Sequence, residues 1–252
     1  MDDKVIAQKL KELYMRNSKH SQYQKLPAKI EQLVPDLRCD GKYERERWSY
    51  VCSNIEFEGK RIADIGGNVG FFSCAAVEAG AEKVFYYEGN KDFADFVGLS
   101  SMYLGYEKQL IVDNRYFDFK GLDTQYDIIL CLNVLHHLGD DFGTSNNESF
   151  AKQKIHDCIE NMANYSRVLV LQIGYNWMGD KTKPLFNFGT KEEQIEYIEK
   201  CCSNLWNIRK IGIASGDNKA SIVFQDLNEN NKQRNDGLGE FLNRPLFILE
   251  RK

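Results

Sequence analysis

A doubly wound α/β fold, with a seven-stranded, mostly parallel sheet behind a helical extension, is what this sequence predicts. Three observations predict it. From Lys60 onward short apolar runs alternate with stretches of helical periodicity, the pattern of a parallel sheet covered by helices on both faces. A glycine turn, Gly66-Gly-Asn-Val-Gly70, joins the first of those runs to the first helical stretch. An acidic residue, Glu88, ends the second run.

In front of that pattern, Val5, Ile6, Leu10, Leu13 and Tyr14, and then Ile30 and Leu33, recur at helical spacing. Two helices are expected there, on either side of a polar break at residues 17–22. Residues 42–50, Lys-Tyr-Glu-Arg-Glu-Arg-Trp-Ser-Tyr, are dense in charge and aromatic rings and lead into a further helix, read either as solvated surface or as a lid. Residues 1–58 are therefore expected to form a helical cap or lid, and residues 59–252 the main domain. Its expected strands are 61–65, 83–88, 109–112, 126–132, 167–173, 208–214 and 245–250. The expected helices are 70–79, 92–104, 149–164 and 191–203. No helix separates the last two strands, which suits an antiparallel hairpin at the end of the sheet. Residues 226–242, rich in Asn, Asp and Gly, read as a long mobile excursion.

The chain has 252 residues, 42% of them hydrophobic and 28% charged, enough to bury a sizeable core. Its net charge of −4 offers no general attraction to a nucleic-acid backbone, so such a partner is not expected. Seven scattered cysteines without C-x-x-C spacing read as reduced thiols of a cytoplasmic protein. No apolar stretch has the length of a membrane span or of a secretory leader. Histidine, cysteine and acidic residues show no metal-ligand spacing, so metal-independent chemistry is expected.

The glycine turn and Glu88 together point to a nucleoside ligand. Glycines permit positive φ and let backbone N–H groups approach a ligand, and a strand-end carboxylate can accept both hydroxyls of a ribose. A dinucleotide site requires G-x-G-x-x-G, and the order Gly66-Gly67-Asn68-Val69-Gly70 fails that register whichever glycine is taken first. Asp64, just before the turn, would repel a pyrophosphate but favour a nearby cation. A methionine-derived sulfonium with its α-amino group is such a ligand.

Ala63-Asp-Ile-Gly-Gly-Asn-Val-Gly70 resembles the first motif, D-x-G-x-G-x-G, of the class I methyltransferases that use S-adenosylmethionine. Asn68 stands where that motif has its middle glycine. Supporting motifs follow in order over residues 45 to 215. Glu88 matches the ribose-binding acid, Asp113 or Asn114 falls where the family contacts adenine, and residues 126–138, Tyr-Asp-Ile-Ile-Leu-Cys-Leu-Asn-Val-Leu-His-His-Leu, match the fourth strand. Residues 48–67 and that fourth strand are also distantly similar to the bacterial tRNA wobble-uridine carboxymethyltransferase and its small-molecule relatives. The resemblance implies a Rossmann-like methyltransferase fold with S-adenosylmethionine as cofactor. It places Gly66, Gly67, Asn68 and Gly70 along the cofactor, has Asp64 order the turn, and sets Leu132 and Asn133 at the methionyl half. Tyr43, Arg47 and Trp48, ahead of the main fold, would close over the methionyl carboxylate.

Methyl transfer from a sulfonium is an in-line displacement, so a base is needed only when the acceptor must lose a proton. His136 and His137 follow the fourth strand, at the sheet edge where open α/β proteins bind ligands, and imidazoles titrate near neutral pH. Register against the family favours His137, with His136 the second candidate. Tyr175 and Trp177, in the aromatic loop after the fifth strand, are candidate walls of an acceptor pocket, and His20 and Tyr23 candidate lid residues. The expected function is methyl transfer to an oxygen or nitrogen of a small polar molecule, such as a sugar-linked precursor. An RNA or tRNA methyltransferase, a non-catalytic cofactor-binding module and a nicotinamide oxidoreductase are the successive alternatives, since fold alone does not choose the acceptor.

Overall fold

A computed structural model of the chain describes residues 2–16, 22–119, 124–140, 142–202 and 204–252. It shows a mixed α/β fold of eight strands. The chain divides into two compact units, residues 1–44 with 56–117 and residues 45–55 with 118–252.

The first unit carries helices α1 (Asp3–Tyr14) and α2 (Ala28–Leu33), then β1 (Arg61–Ile65), α4 (Phe71–Glu78), β2 (Lys83–Tyr87), α5 (Lys91–Leu104) and β3 (Leu110–Asp113). Its strands are parallel in the order β3-β2-β1, with Ile65 opposite Tyr87 and Tyr87 opposite Asp113. All three strands therefore end level, and Gly66, Glu88 and Asn114 each follow one of them. Capping chemistry sets the helix ends. Asn90 accepts from the N–H groups of Asp92 and Phe93 to start α5, and Gly105, at φ 74°, stops it. Ile62, Val84, Tyr86, Phe96 and Val97 form the buried centre. Helix α1 packs on α5 through Tyr14, whose ring lies 5.9 Å from that of Phe96.

The second unit holds most of α3 (Glu44–Cys52), then β4 (Tyr126–Leu132), α6 (Glu148–Met162), β5 (Ser166–Gln172), α7 (Lys191–Cys202), β6 (Trp206–Ser215), β7 (Val223–Asp226) and β8 (Leu246–Arg251). The order is β4-β5-β8-β6-β7, with β4 and β5 parallel and β8 antiparallel to both β5 and β6. Near-continuous apolar runs such as Ile128–Cys131 are buried on both faces, as the interior strands of a helix-covered sheet must be.

Two expectations are corrected. Among the described residues the strands number eight rather than seven, because Val223–Asp226 pairs antiparallel with β6. That edge strand buries only Phe224, so it leaves almost no hydrophobic signature. Residues 226–242 are also not a loose excursion. The Lys191 ammonium donates to the carbonyls of Asn231 and Gln233 (2.9 and 2.8 Å), and the Asn243 amide donates to those of Asn235 and Gly239 (2.7 and 2.8 Å). Polar tethers of this kind do not register in hydropathy. Among the described residues no helix is long and apolar enough to cross a membrane.

Candidate functional site

In the first unit the turn after β1 is built around two carboxylates with different tasks. Asp64 is buried, and its Oδ2 accepts the Ser73 hydroxyl at 2.7 Å, tying the end of β1 to α4. Burial pushes its carboxyl up to about 6; hydrogen bonds from Ser73 oppose the rise, and the nearby Glu88 charge adds to it. Glu88, half-buried one residue past β2, is oriented by backbone: Oε2 accepts the Asn68 N–H at 3.0 Å and Oε1 the Asn90 N–H at 2.8 Å.

The backbone over these acids adopts the glycine-type conformation at every second residue, with φ of 66° at Gly66, 50° at Asn68 and 81° at Gly70. Asparagine is among the few side-chain residues that enter the left-handed region readily, so Asn68 serves where the motif has glycine. The Tyr86 hydroxyl donates to the Asn68 carbonyl from below. Gly67 is required for another reason: a Cβ there would lie 2.5 Å from the buried Tyr86 ring and 3.0 Å from Asp64.

Asp113 and Asn114 close this end of the unit. Asp113 is paired with Arg115 at 2.7 Å, while the Asn114 amide donates to the Glu88 carbonyl at 2.9 Å and so braces the loop carrying that acid. Two further residues of this unit, Gln24 and Tyr116, carried no sequence motif. Gln24 reaches from the N-terminal segment to accept the Phe71 N–H at 3.0 Å, meeting one of the orphan donors at the start of α4. Tyr116, more than half exposed, lies so close over Gly89 that a Cβ there would come within 2.2 Å of its ring. Neither contact has a local sequence signal.

In the second unit, the ends of β4 and β5 carry a different assembly. The two histidines form one 3-10 turn, with ring centroids 4.3 Å apart, and divide in role. His136 is 2% exposed, and its Nδ1 accepts the Gly174 N–H at 3.1 Å, which fixes the neutral ring with its proton on Nε2. A Cβ on Gly174 would strike that ring at 2.7 Å. His136 thus fastens the end of β5 to the turn after β4. His137 is more open, with Nδ1 3.9 Å from the Asp140 carboxylate.

Leu132 ends β4, and Asn133 follows it in the left-handed region at φ 63°. The Asn133 N–H donates to the Gln172 carbonyl at 2.7 Å. Arg47, on α3, is buried; it donates to Gln172 Oε1 at 3.2 Å and stands over the Phe241 ring at 5.2 Å, whereas Trp48 beside it is half-buried. Gln172, Glu240, Phe241 and Arg244, which meet these residues, carried no motif and were not anticipated.

Tyr175 and Trp177 sit in packing rather than on an open wall. The Tyr175 hydroxyl donates to the Asn243 carbonyl at 2.6 Å, and burial holds it well above the usual phenol range. Trp177 Nε1 donates to the Leu138 carbonyl at 2.6 Å. Tyr23 is half-buried, with the Lys42 ammonium 5.6 Å from its ring centroid, and His20 lies outside the described residues. Among the described residues no three His, Cys, Asp or Glu side chains gather as a metal site.

No protein-family model and no curated protein sequence matches the chain. Solved structures do. Magnesium protoporphyrin IX methyltransferase (ChlM) from Synechocystis PCC 6803, with bound S-adenosylmethionine, is similar at TM-score 0.55 and 16% identity, over 100% of this chain and 98% of that one. The N-terminal domain of EvdMO1, with S-adenosylhomocysteine bound, is similar at TM-score 0.53 and 14% identity, over 100% and 97%. Ribosomal protein L11 methylase from Lactobacillus delbrueckii subsp. bulgaricus matches at TM-score 0.50 and 14% identity, over 84% and 80%. The chain thus has the Rossmann-like fold of these methyltransferases.

Proposed function

We propose that this protein is a methyltransferase that uses S-adenosylmethionine to methylate an oxygen or nitrogen of a small polar molecule, a sugar-linked precursor being one candidate. The observation that carries the reading is the Glu88 carboxylate, oriented by two backbone N–H groups beside a turn of left-handed residues at the level ends of three parallel strands. A carboxylate fixed in that place suits a ribose diol. The residues fit the cofactor in a second respect. Asp64 is buried under the turn as an acid, in a register that does not suit a pyrophosphate.

In this reading Gly66, Gly67, Asn68 and Gly70 run along the cofactor, Glu88 takes the ribose, and Asp113 or Asn114 the adenine. Leu132, Asn133, Arg47 and Trp48 serve its methionyl half, as the family resemblance assigns them. Bound there, the cofactor supplies a methyl group on a sulfonium, which leaves as a neutral thioether. The chain's own task is to align the acceptor and remove its proton. His137 is the proposed base, since Asp140 beside Nδ1 favours a ring proton there and leaves Nε2 to accept. His136 is the weaker candidate because its Nδ1 is already committed to Gly174. Tyr175 and Trp177 shape the loop that faces the acceptor, Tyr23 and His20 belong to the covering segment within residues 1–58, and the chemistry needs no metal. The cysteine usage supports a cytoplasmic location as part of this reading.

The test is methyl transfer from labelled S-adenosylmethionine to a panel of hydroxylated and amino metabolites, with a tRNA pool and NAD titration alongside. Label in a small acceptor supports the reading. Label in RNA alone, or binding of NAD without binding of the sulfonium, overturns it.

A further inference from the structure

Asn133 is held in a way that its place after β4 does not require. The side chain is nearly buried, and both ends of its amide are taken: Nδ2 donates to Gln172 Oε1 at 3.0 Å, and Oδ1 accepts from Arg244 Nη1 at 2.9 Å. Gln172 Nε2 in turn donates to the Arg244 carbonyl at 3.0 Å, closing a ring of three residues. Because a guanidinium only donates, the oxygen of Asn133 must face Arg244, and the amide can turn only one way. Arg244 is itself anchored. Its Nη2 donates to Glu240 at 2.6 Å, the other Glu240 oxygen accepts the Asn176 amide at 3.0 Å, and the guanidinium lies over the Phe241 ring at 5.1 Å. This arrangement leaves the Arg244 Nε–H buried without an acceptor, a cost that calls for an explanation. The explanation is the fork: Nη1 and Nη2 are both committed, one to the amide and one to the acid.

We propose that Arg244 is a positioning residue that locks Asn133 in its left-handed turn, and so sets the direction in which the backbone after β4 meets the methionyl half of the cofactor. The inference rests on the S-adenosylmethionine reading. Asparagine enters the left-handed region readily, but here a residue 111 positions later in the chain also takes its amide oxygen and so fixes the side chain in that turn. The segment before β8, tethered through Asn243, thereby becomes part of the site's framework rather than a distant loop. A lysine cannot replace the guanidinium, because a single ammonium does not span both partners in a planar fork.

The experiment is calorimetric binding of S-adenosylhomocysteine and of 5′-methylthioadenosine, which lacks the amino-acid end, to wild type, Arg244→Lys, Asn133→Gly and the double variant. Arg244→Lys is expected to weaken S-adenosylhomocysteine roughly tenfold, the loss of one charge-assisted hydrogen bond, and to leave 5′-methylthioadenosine unchanged. The double variant should bind no worse than the weaker single variant, since the two residues act as one device. Equal weakening of both ligands, strictly additive losses, or unchanged binding in Arg244→Lys overturns the inference. Should Arg244→Lys fail to fold, Glu240→Gln loosens the same guanidinium and must show the same selective loss. Wild type binding neither ligand would instead remove the cofactor reading itself.

Discussion

The ends of β1 to β3 in the first unit and the ends of β4 and β5 in the second are both edges of parallel strands, but they are held by different means. Around Glu88 the order comes from backbone. Two N–H groups orient the carboxylate, three left-handed residues shape the turn, and the participants from Asp64 to Asn90 lie within one β-α-β passage. Around Asn133 the order comes from side chains: Arg47, Gln172 and the pair Glu240 and Arg244 converge from three other parts of the sequence. A backbone-ordered edge tolerates change in its neighbours, whereas a side-chain-ordered edge depends on each member, because a buried polar group that loses its partner bears the full cost of desolvation.

Four substitutions sharpen or break this contrast. The largest effect is expected at the second edge. With an acceptor in hand, His137→Ala should lower turnover about a hundredfold or more for a hydroxyl acceptor, the usual contribution of a general base. The acidic limb of the pH profile should vanish only in this variant. A small effect with an amine acceptor would point to N-methylation.

Next comes the acid beneath the glycine turn. The Asp64 carboxyl rises from the ordinary 3.8 to about 6 in the folded chain, so the folded state holds that proton more tightly than the unfolded one. Its contribution to stability is therefore greatest below pH 4 and is lost as pH climbs to 6, by about 3 kcal/mol. Asp64→Asn removes the titration. Denaturant unfolding at pH 4 and pH 7 should show the variant gaining on wild type across that interval, and a constant difference would mean the acid is not destabilised by burial.

His136→Ala should cost about 2 kcal/mol of stability, because the Gly174 N–H loses its acceptor in a buried place. Its pH profile should keep the wild-type acidic limb. If that limb disappears instead, the roles of the two histidines are reversed. The smallest effect is expected for Tyr175→Phe, about 1 kcal/mol in thermal unfolding with turnover intact, since the hydroxyl only meets the Asn243 carbonyl. A collapse of turnover there would show that the buried phenol takes part in the chemistry.

The same contrast explains what could be read from the chain. The first edge was legible because its chemistry is local: a glycine turn with an acid twenty-two residues after Gly66 is a pattern in one dimension. Strands β1 and β4 came out at their observed bounds because interior parallel strands are continuous apolar runs between turn residues. Strand β7 escaped because an edge strand that buries one ring has no such run. Arg244 and Gln172 escaped for a related reason. Nothing near either residue announces a partner, and their pairing with Asn133 exists only once β5 and β8 have brought them together. Arg47 was singled out through the family likeness, while its contact with Gln172 was not.

The most direct measurement of the central claim is a calorimetric titration of S-adenosylhomocysteine into wild type and Glu88→Ala, with thermal melts of both. Micromolar binding to wild type is expected, with a loss of roughly 1–3 kcal/mol in the variant, the range for charge-assisted hydrogen bonds to a ligand, and with a cooperative melt retained in both. Equal affinity in the two proteins would contradict it, because Glu88 would then be a strand-end charge and not the ribose acceptor on which the reading stands.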